Sequence, residues 1–372
     1  MTFDFRPEQE ALRDAVAAFL AEHSDEAAVR ATAATDTGLD PEAWKALTEQ
    51  LDLVGLLVPE RHGGSGAGPV ELAVVLEQLG RSLFCGPYLS SAVLATKLLV
   101  ELGEDAAGDY LPAMAAGRRT ATVALDEGTG TWDASAVDAV AERTSPSSTE
   151  GGWTITGSKE YVLDGANADT LLVVTRGPRV FAVDAGAPGM TVTPLKTLDA
   201  TRKQTAVTFS GTPARPLSDD PDETGRALRT ALDTTGVMLA AEQVGGARAA
   251  LDMAVDYARQ RFQFGRAIGS FQAVKHKCAD LFVEVESAYS AAYHAAWSLA
   301  EHDGSPAEAA LAQAFCSEVF SRASAENIQI HGGIGFTWEH PAHLYLRRAR
   351  SSEQLLGAPA QHRERYLTHI TG

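Results

Sequence analysis

The sequence predicts a mainly α-helical protein with a small β domain in its middle. Apolar residues recur at helical spacing in the first third of the chain and again in the last part. Between them lie short segments rich in Val and Thr and interrupted by Gly and Pro, a composition typical of strands and turns. We therefore expect an N-terminal helical domain over residues 1–118, a β domain over 119–218 and a C-terminal helical domain over 219–372.

The N-terminal domain is predicted to contain four helices. The first begins after Pro7, because Pro is favoured in the first turn of a helix, and the second begins at Pro41. Two more cover Val70–Leu79 and Ser90–Leu102. Tyr110 to Pro112 is predicted to be a turn. The first helix carries one apolar stripe, formed by Leu12, Val16, Phe19 and Leu20.

The β domain and the last helices are predicted from the same two periodicities. Ser145–Gly152 is expected to be a hairpin loop, and Asp219–Glu223 an acidic linker. The expected strands are TATVAL, AVDAVAERT, WTITGSKEYVL, TLLVVTR, RVFAVDA and MTVTPL. The expected long helices are Leu228–Tyr257, Phe271–Leu299 and Ala307–Ile330.

Composition excludes several classes of function. The formal charge of −18 opposes binding to nucleic acid and to anionic membranes. The three cysteines are far apart and form no C-x-x-C pair, which indicates reduced thiols. The N-terminus is charged and no long apolar run occurs, so we expect a cytoplasmic protein. His340 and His343 are three residues apart without a visible third ligand, so we expect no metal site.

Two segments near the C-terminus have the residue types of a ligand site. In RFQFGRAIGSFQ, Arg261 to Gln272, an Arg and a Gln flank a turn Gly, although the apolar residues there also suit the packing of a corner. In QIHGGIGFTWEHP, Gln329 to Pro341, adjacent glycines follow a long helix. They would let backbone N–H groups approach a pyrophosphate, and they would equally suit a helix cap.

Together these segments resemble the acyl-CoA dehydrogenase family, and the likeness extends from DFRPEQEALRD through GLLVPERHGG and ITGSKEYV to the end. The resemblance implies a β-barrel-like middle domain and a C-terminal four-helix bundle. It implies FAD as cofactor, an oligomer such as a tetramer, and electron-transfer flavoprotein or a similar acceptor. The residues that it assigns to the FAD are Arg261, Phe264, Gln272, Gln329, Gly332 and Gly333.

The implied reaction is α,β-dehydrogenation of an acyl-CoA thioester, in lipid or steroid catabolism. A carboxylate removes the α-proton while hydride passes to the flavin. At the two positions where the family places this carboxylate, the chain has Leu356 and Thr235. Asp233 and Glu353 are nearby acids, and Glu242 lies two helical turns beyond Thr235, so the catalytic base stays unknown.

The β domain departs from the family pattern too. LDEGTGTW, Leu125 to Trp132, and Tyr161–Leu163 replace the segments that contact the flavin. The chain is therefore predicted to be an acyl-CoA dehydrogenase. The alternative is a non-catalytic, FAD-completing subunit of a heteromeric α2β2 enzyme. Small residues of the central helix hint at room for a bulky acyl group, namely Ala240, Ala241 and Gly245.

Overall fold

The computed structural model describes residues 5–144, 152–218, 220–302 and 304–371 and forms two compact units. The helical unit combines residues 1–31, 69–84 and 236–372, and the β unit combines residues 32–68 and 85–235. The mainly helical fold class with a central β region is confirmed. The three-domain boundaries predicted from the sequence stay a prediction.

The helices match most of the predicted apolar stripes. In the first part of the chain they are α1 (Pro7–His23), α2 (Glu26–Ala34), α3 (Pro41–Glu49), α4 (Pro69–Arg81), a π-helix (Tyr88–Ala95), α5 (Thr96–Leu102), α6 (Glu104–Ala107) and α7 (Leu111–Ala115). In the last part they are α8 (Pro221–Gln260), α9 (Gln272–His302), α10 (Pro306–His331), a 3₁₀ helix (Gly332–Phe336), α11 (Ala342–Ser352) and α12 (Pro359–Thr371).

In the helical unit, α10 packs against α9, α11 and α12, and α4 crosses α8 at two glycines. A Cβ added to Gly80 would lie 1.9 Å from the carbonyl oxygen of Glu242, and one added to Gly245 would lie 1.8 Å from that of Glu77. Real Cβ atoms never approach a carbonyl oxygen so closely. Glycine at both positions therefore allows the two backbones to meet.

The β unit contains a mixed seven-stranded sheet in the order β1-β4-β5-β7-β3-β2, and β6 pairs with β7. Only β1 and β4 run parallel among its strand pairs in the described residues. Ile155, Phe181 and Val207 are fully buried in its apolar core. The strands are β1 (Ala121–Ala124), β2 (Val140–Arg143), β3 (Trp153–Leu163), β4 (Thr170–Thr175), β5 (Arg179–Asp184), β6 (Met190–Pro194) and β7 (Gln204–Pro216).

The local structure differs from the sequence predictions at three places, and a fourth prediction falls mostly outside the described residues. The predicted turn at Tyr110–Pro112 holds for Tyr110 but is wrong for Leu111 and Pro112, which open α7, where Pro112 is tolerated in the first turn. The predicted linker Asp219–Glu223 is wrong in that α8 begins at Pro221, and the Asp220 carboxylate accepts from the backbone N–H of Asp222 at 2.8 Å. No strand was expected at β7. Residues 145–151 of the expected hairpin loop lie outside the described residues.

Within the described ranges, no helix is long and apolar enough to span a bilayer.

Candidate cofactor and substrate site

A strained hairpin lies between α8 and α9. Strands β8 (Phe262–Gln263) and β9 (Arg266–Ala267) pair across a two-residue turn. The turn residues Phe264 and Gly265 have φ values of 51° and 78°, as a type I′ turn requires. A bulky residue seldom adopts a positive φ, and the Phe264 side chain is 92% exposed. The hairpin therefore presents an exposed aromatic ring at a conformational cost, and this ring meets Phe271 edge-on at 6.2 Å between centroids.

Arg261 and Gln272 stand at the two ends of this hairpin. The Arg261 backbone N–H donates to the carbonyl of Tyr257, and its carbonyl accepts from Ile268 N–H at 2.8 Å. Gln272 is the first residue of α9, with its amide nitrogen 3.4 Å from His276 Nε2. Both side chains are exposed. Their donors can thus reach a ligand or a second subunit.

The second predicted segment begins where α10 ends. Gly332 has φ 64° and its N–H donates to the carbonyl of Ile328, so the helix-cap interpretation holds for it. A Cβ added to Gly332 or to Gly333 would meet no atom within 4 Å. Gln329 is exposed beside them. The open backbone at Gly333 is the kind of surface that a phosphate group can approach closely.

The structure brings the two segments together through an aromatic contact. The ring of Tyr257, whose carbonyl holds Arg261, stacks on His331 at 4.2 Å between centroids. His331 is buried next to Gly332, and its Nδ1 lies 2.8 Å from the carbonyl oxygen of Asn327. Burial lowers the pKa of His331. A neutral His331 thus connects the hairpin base to the paired glycines.

The usual base positions carry no carboxylate. The Thr235 hydroxyl is buried and donates to the carbonyl of Ala231 at 2.6 Å. Leu356 is buried and has φ 62°, a conformation that a Leu rarely adopts. Neither side chain can remove a proton at neutral pH.

The other acids have different environments. Glu353 accepts from the Ser321 hydroxyl at 2.7 Å and from Arg350 Nη1 at 2.8 Å. Glu242 is 6% exposed and forms an ion pair at 2.8 Å with Arg348, which is 3% exposed. Because its charge is neutralised in the protein interior, Glu242 is held as a structural partner. Asp233 is half-buried in α8.

His362, which no sequence motif indicates, lies beside the turn at Leu356–Gly357. A Cβ added to Gly357 would lie 3.2 Å from His362 Nε2. Burial, assisted by the nearby positive charge of Arg365, lowers the pKa of His362 to about 4. The imidazole is therefore neutral at physiological pH. The only signal in the sequence was its distance of six residues from the position of the missing carboxylate.

In the β unit, the two segments that the resemblance assigns to the flavin contain residues with strained backbone conformations. Trp132 and Tyr161 have φ values of 50° and 54°, and Asp164 has 50°. The Asp164 carboxylate accepts from the Ser90 hydroxyl at 2.6 Å. The Asp126 carboxylate accepts from the N–H groups of Gly128 and Trp132, at 2.6 and 3.4 Å. Such strain persists only where the surroundings enforce it, as functional sites commonly do.

The expectation that Gly245 leaves room for a bulky acyl group is wrong. The space beside Gly245 is filled by the backbone of α4, as the 1.8 Å approach to the Glu77 carbonyl shows. Ala240 and Ala241 are fully buried on the same helix. Gly245 therefore serves the packing of α8 against α4.

Comparisons with known proteins agree on one family. The acyl-CoA dehydrogenase N-terminal domain model matches residues 6–118, and the C-terminal domain model matches residues 225–370. Acyl-CoA dehydrogenase IpdE2 of Mycobacterium tuberculosis is 36% identical, over 95% of this chain and 94% of that protein. A variant of the Tcur3481–Tcur3483 steroid ACAD is 30% identical, with a TM-score of 0.87 over 98% of each chain. The ChsE4–ChsE5 complex from Mycobacterium tuberculosis is 29% identical, with a TM-score of 0.87 over 100% of this chain and 99% of that one.

Proposed function

The chain belongs to the acyl-CoA dehydrogenase family, and from that premise we propose that it catalyses FAD-dependent α,β-dehydrogenation of an acyl-CoA thioester. The observation that carries the proposal is the 36% identity over 95% of the chain to a protein named as an acyl-CoA dehydrogenase. The relatives do not favour the alternative of a purely structural, non-catalytic subunit.

The residues near the hairpin and the paired glycines fit a dinucleotide. Gly333 presents open backbone, and the planar guanidinium of Arg261 matches a phosphate group. Gln272 and Gln329 add exposed amides, and Phe264 adds an exposed ring. FAD, when bound, supplies the acceptor for the β-hydride. The protein's own part is to bind it, to orient it and to exclude water.

Exposed apolar side chains support an oligomer. Phe262 and Phe264 on the hairpin, and Phe282 and Val283 on α9, are all more than half exposed. Aromatic and aliphatic side chains on one face commonly mark an interface. We propose that a homologous subunit, identical or different, covers them, and the solved ChsE4–ChsE5 complex is consistent with this. A tetramer, electron-transfer flavoprotein as acceptor and a cytoplasmic location stay predictions.

A steroid-derived or lipid-derived acyl group is the proposed substrate class. Its support is the printed name of the steroid ACAD, which is 30% identical to this chain.

Removal of the α-proton is assigned to a carboxylate outside the two usual positions, which hold Leu356 and Thr235. Within the chain the candidates are Asp233 and Glu353. Outside it the candidate is a carboxylate of the homologous subunit. Glu242 is not a candidate, because Arg348 neutralises it inside the helical unit.

The proposed function is tested by flavin content and by substrate reduction. The full chain, purified with the subunit that accompanies it, should bind FAD, and an acyl-CoA should bleach the flavin absorbance. Arg261→Ala should weaken FAD binding by about 1.5–3 kcal/mol, as expected for a charged hydrogen bond. Arg259→Ala is the matched control, because Arg259 is an exposed Arg two residues earlier, in the last turn of α8. Equal flavin retention in both variants would remove Arg261 from the site.

The base is located by two neutral substitutions. If Asp233 or Glu353 is the base, Asp233→Asn or Glu353→Gln should lower turnover by about 10²–10⁴-fold with FAD still bound. Nearly unchanged turnover in both variants would assign the base to the partner subunit.

A further inference from the structure

Lys159, in β3, is a buried cation that the proposed mechanism does not use. Its side chain is 0% exposed, and its ammonium donates to the carbonyl oxygen of Leu125 at 3.0 Å and to Glu127 Oε1 at 2.7 Å. Burial lowers the pKa of Lys159, while Glu127 opposes that shift. A buried ammonium is costly unless it is paired and hydrogen-bonded. The buried ammonium of Lys159 is therefore stabilised by its hydrogen bonds to Leu125 and Glu127.

Glu127 extends the same network to a third segment. Its carboxylate accepts from the backbone N–H groups of Asp138 and Ala139, at 2.8 and 2.9 Å. These contacts and the hydrogen bond from Lys159 hold the pKa of Glu127 below its usual range, although burial opposes them. One ion pair thus joins β3, the start of Leu125–Trp132 and the backbone before β2.

Both ends of the network adjoin strained residues. The register of β3 against β7 shifts between Lys159 and Val162, and Tyr161 lies in that bulge with φ 54°. The backbone N–H of Glu160 donates to the carbonyl of Asp126 at 2.8 Å, next to the Lys159 contacts. Trp132, at the far end of the held segment, has φ 50°. The Lys159–Glu127 ion pair therefore lies between two residues, Tyr161 and Trp132, whose positive φ values must be enforced by surrounding contacts.

We propose that Lys159 is a positioning residue for the flavin, acting by fixing the Leu125–Trp132 segment against the Tyr161 bulge of β3. The inference rests on the proposed function, since these are the segments that the family places at the flavin. It assigns Lys159 no contact with substrate or cofactor. Its effect passes through the backbone that it holds.

The test measures FAD affinity and the visible spectrum of bound FAD in the full chain within its native assembly. Lys159→Met keeps the length of the side chain and removes the charge. It should raise the dissociation constant for FAD at least ~10-fold, as loss of about 1.4 kcal/mol would, and alter the flavin absorption bands. Glu127→Gln, which keeps the shape of the side chain, should shift both readouts in the same direction and covers the case in which Lys159→Met does not fold.

Val183→Ala is the control for general destabilisation. Val183 is buried in the same sheet on β5, which pairs with β4 and β7 and not with β3. It should lower the melting temperature while FAD affinity stays within ~2-fold of wild type.

The inference would be overturned if Lys159→Met kept the FAD affinity and the flavin spectrum of wild type. If Lys159→Met does not fold, the same result in Glu127→Gln would overturn it. So would a loss of affinity in Val183→Ala equal to that of the lysine variant. A wild-type assembly that binds no FAD would overturn the proposed function and this inference together. Wild-type binding with unchanged variants would overturn the inference alone.

Discussion

Removing one charge of the Glu242–Arg348 pair should destabilise the protein strongly. The two side chains are 6% and 3% exposed, Arg348 Nη1 lies 2.8 Å from Glu242 Oε1, and Nη2 donates to the carbonyl of Phe84 at 3.2 Å. Glu242→Gln keeps the shape of the side chain but removes the negative charge that Glu242 presents to the guanidinium of Arg348. Breaking a buried pair in this way costs about 3–5 kcal/mol.

The matched control lies on the same helix. Asp252 forms a 2.6 Å ion pair with Arg81, but both side chains are about half exposed. Asp252→Asn should therefore cost only about 0–1 kcal/mol. The double variant Glu242→Leu with Arg348→Met should recover part of the loss, since replacing a buried pair by apolar groups is often neutral. Because the double variant lacks Arg348, the Phe84 carbonyl loses that hydrogen-bond donor. About 1–3 kcal/mol of the destabilisation should therefore remain.

Urea unfolding followed by circular dichroism measures all four proteins. A Glu242→Gln variant as stable as Asp252→Asn would refute the reasoning, and so would a double variant that is less stable than Glu242→Gln. Flavin content and turnover of folded Glu242→Gln provide a second check. A drop in turnover of ~10²-fold with normal flavin content would make Glu242 a base after all.

Two further predictions concern the ligand surface and acid stability. Gly333→Val should lower FAD content without lowering the melting temperature, because no atom lies within 4 Å of the added Cβ. Gly68→Val is the control, because Gly68 directly precedes α4 and belongs to neither predicted ligand segment, and it should leave FAD content unchanged. Equal FAD content in the two folded variants would contradict the placement of Gly333 at the ligand. The pKa of His362 is about 4 in the folded protein, whereas that of an unfolded histidine is about 6.5. Its neutral form therefore contributes stability that is present above pH 6.5 and is lost as the pH falls towards 4. The loss in unfolding free energy amounts to roughly 3 kcal/mol. The unfolding free energy, measured from pH 7 to pH 4, should fall less steeply with decreasing pH in His362→Gln than in wild type. Parallel curves for the two proteins would exclude a contribution of His362 to the loss of stability in acid.

Much of the fold was predictable from periodicity, and the exceptions have physical causes. Helix α2 was missed because EAAVRATAA buries only Val29 and so shows no apolar stripe. Strand β7 was missed because Gly211 and Pro213 interrupt it, although these residues are tolerated where the strand bends between partners β3, β5 and β6. The family, the fold class and the acyl-CoA dehydrogenase function are supported by the comparisons.

The candidate site was only partly visible in the sequence. Motifs that resemble those of the family indicated Arg261 and Gly333, because motif residues are recognised by type and spacing. The roles of both residues stay predictions. The Glu242–Arg348 pair spans 106 residues and the Lys159–Glu127 pair spans 32. No local pattern announces such partners, since only the packed chain brings them together. For the same reason Gly245 suggested a cavity, whereas it accommodates another helix.

The close crossing of α4 and α8 also has a consequence during synthesis of the protein. Helix α4 is buried almost throughout its length, yet the helical unit to which it belongs resumes only at residue 236, after roughly 150 residues of the β unit. At about 5–20 residues per second, α4 leaves the ribosome on the order of 10 s before its partner backbone exists. The β unit can fold in that interval, while the surface of α4 that later packs against α8 and α9 is still uncovered. A nascent chain arrested before residue 236 should therefore be more prone to aggregation and to chaperone binding than one released at full length.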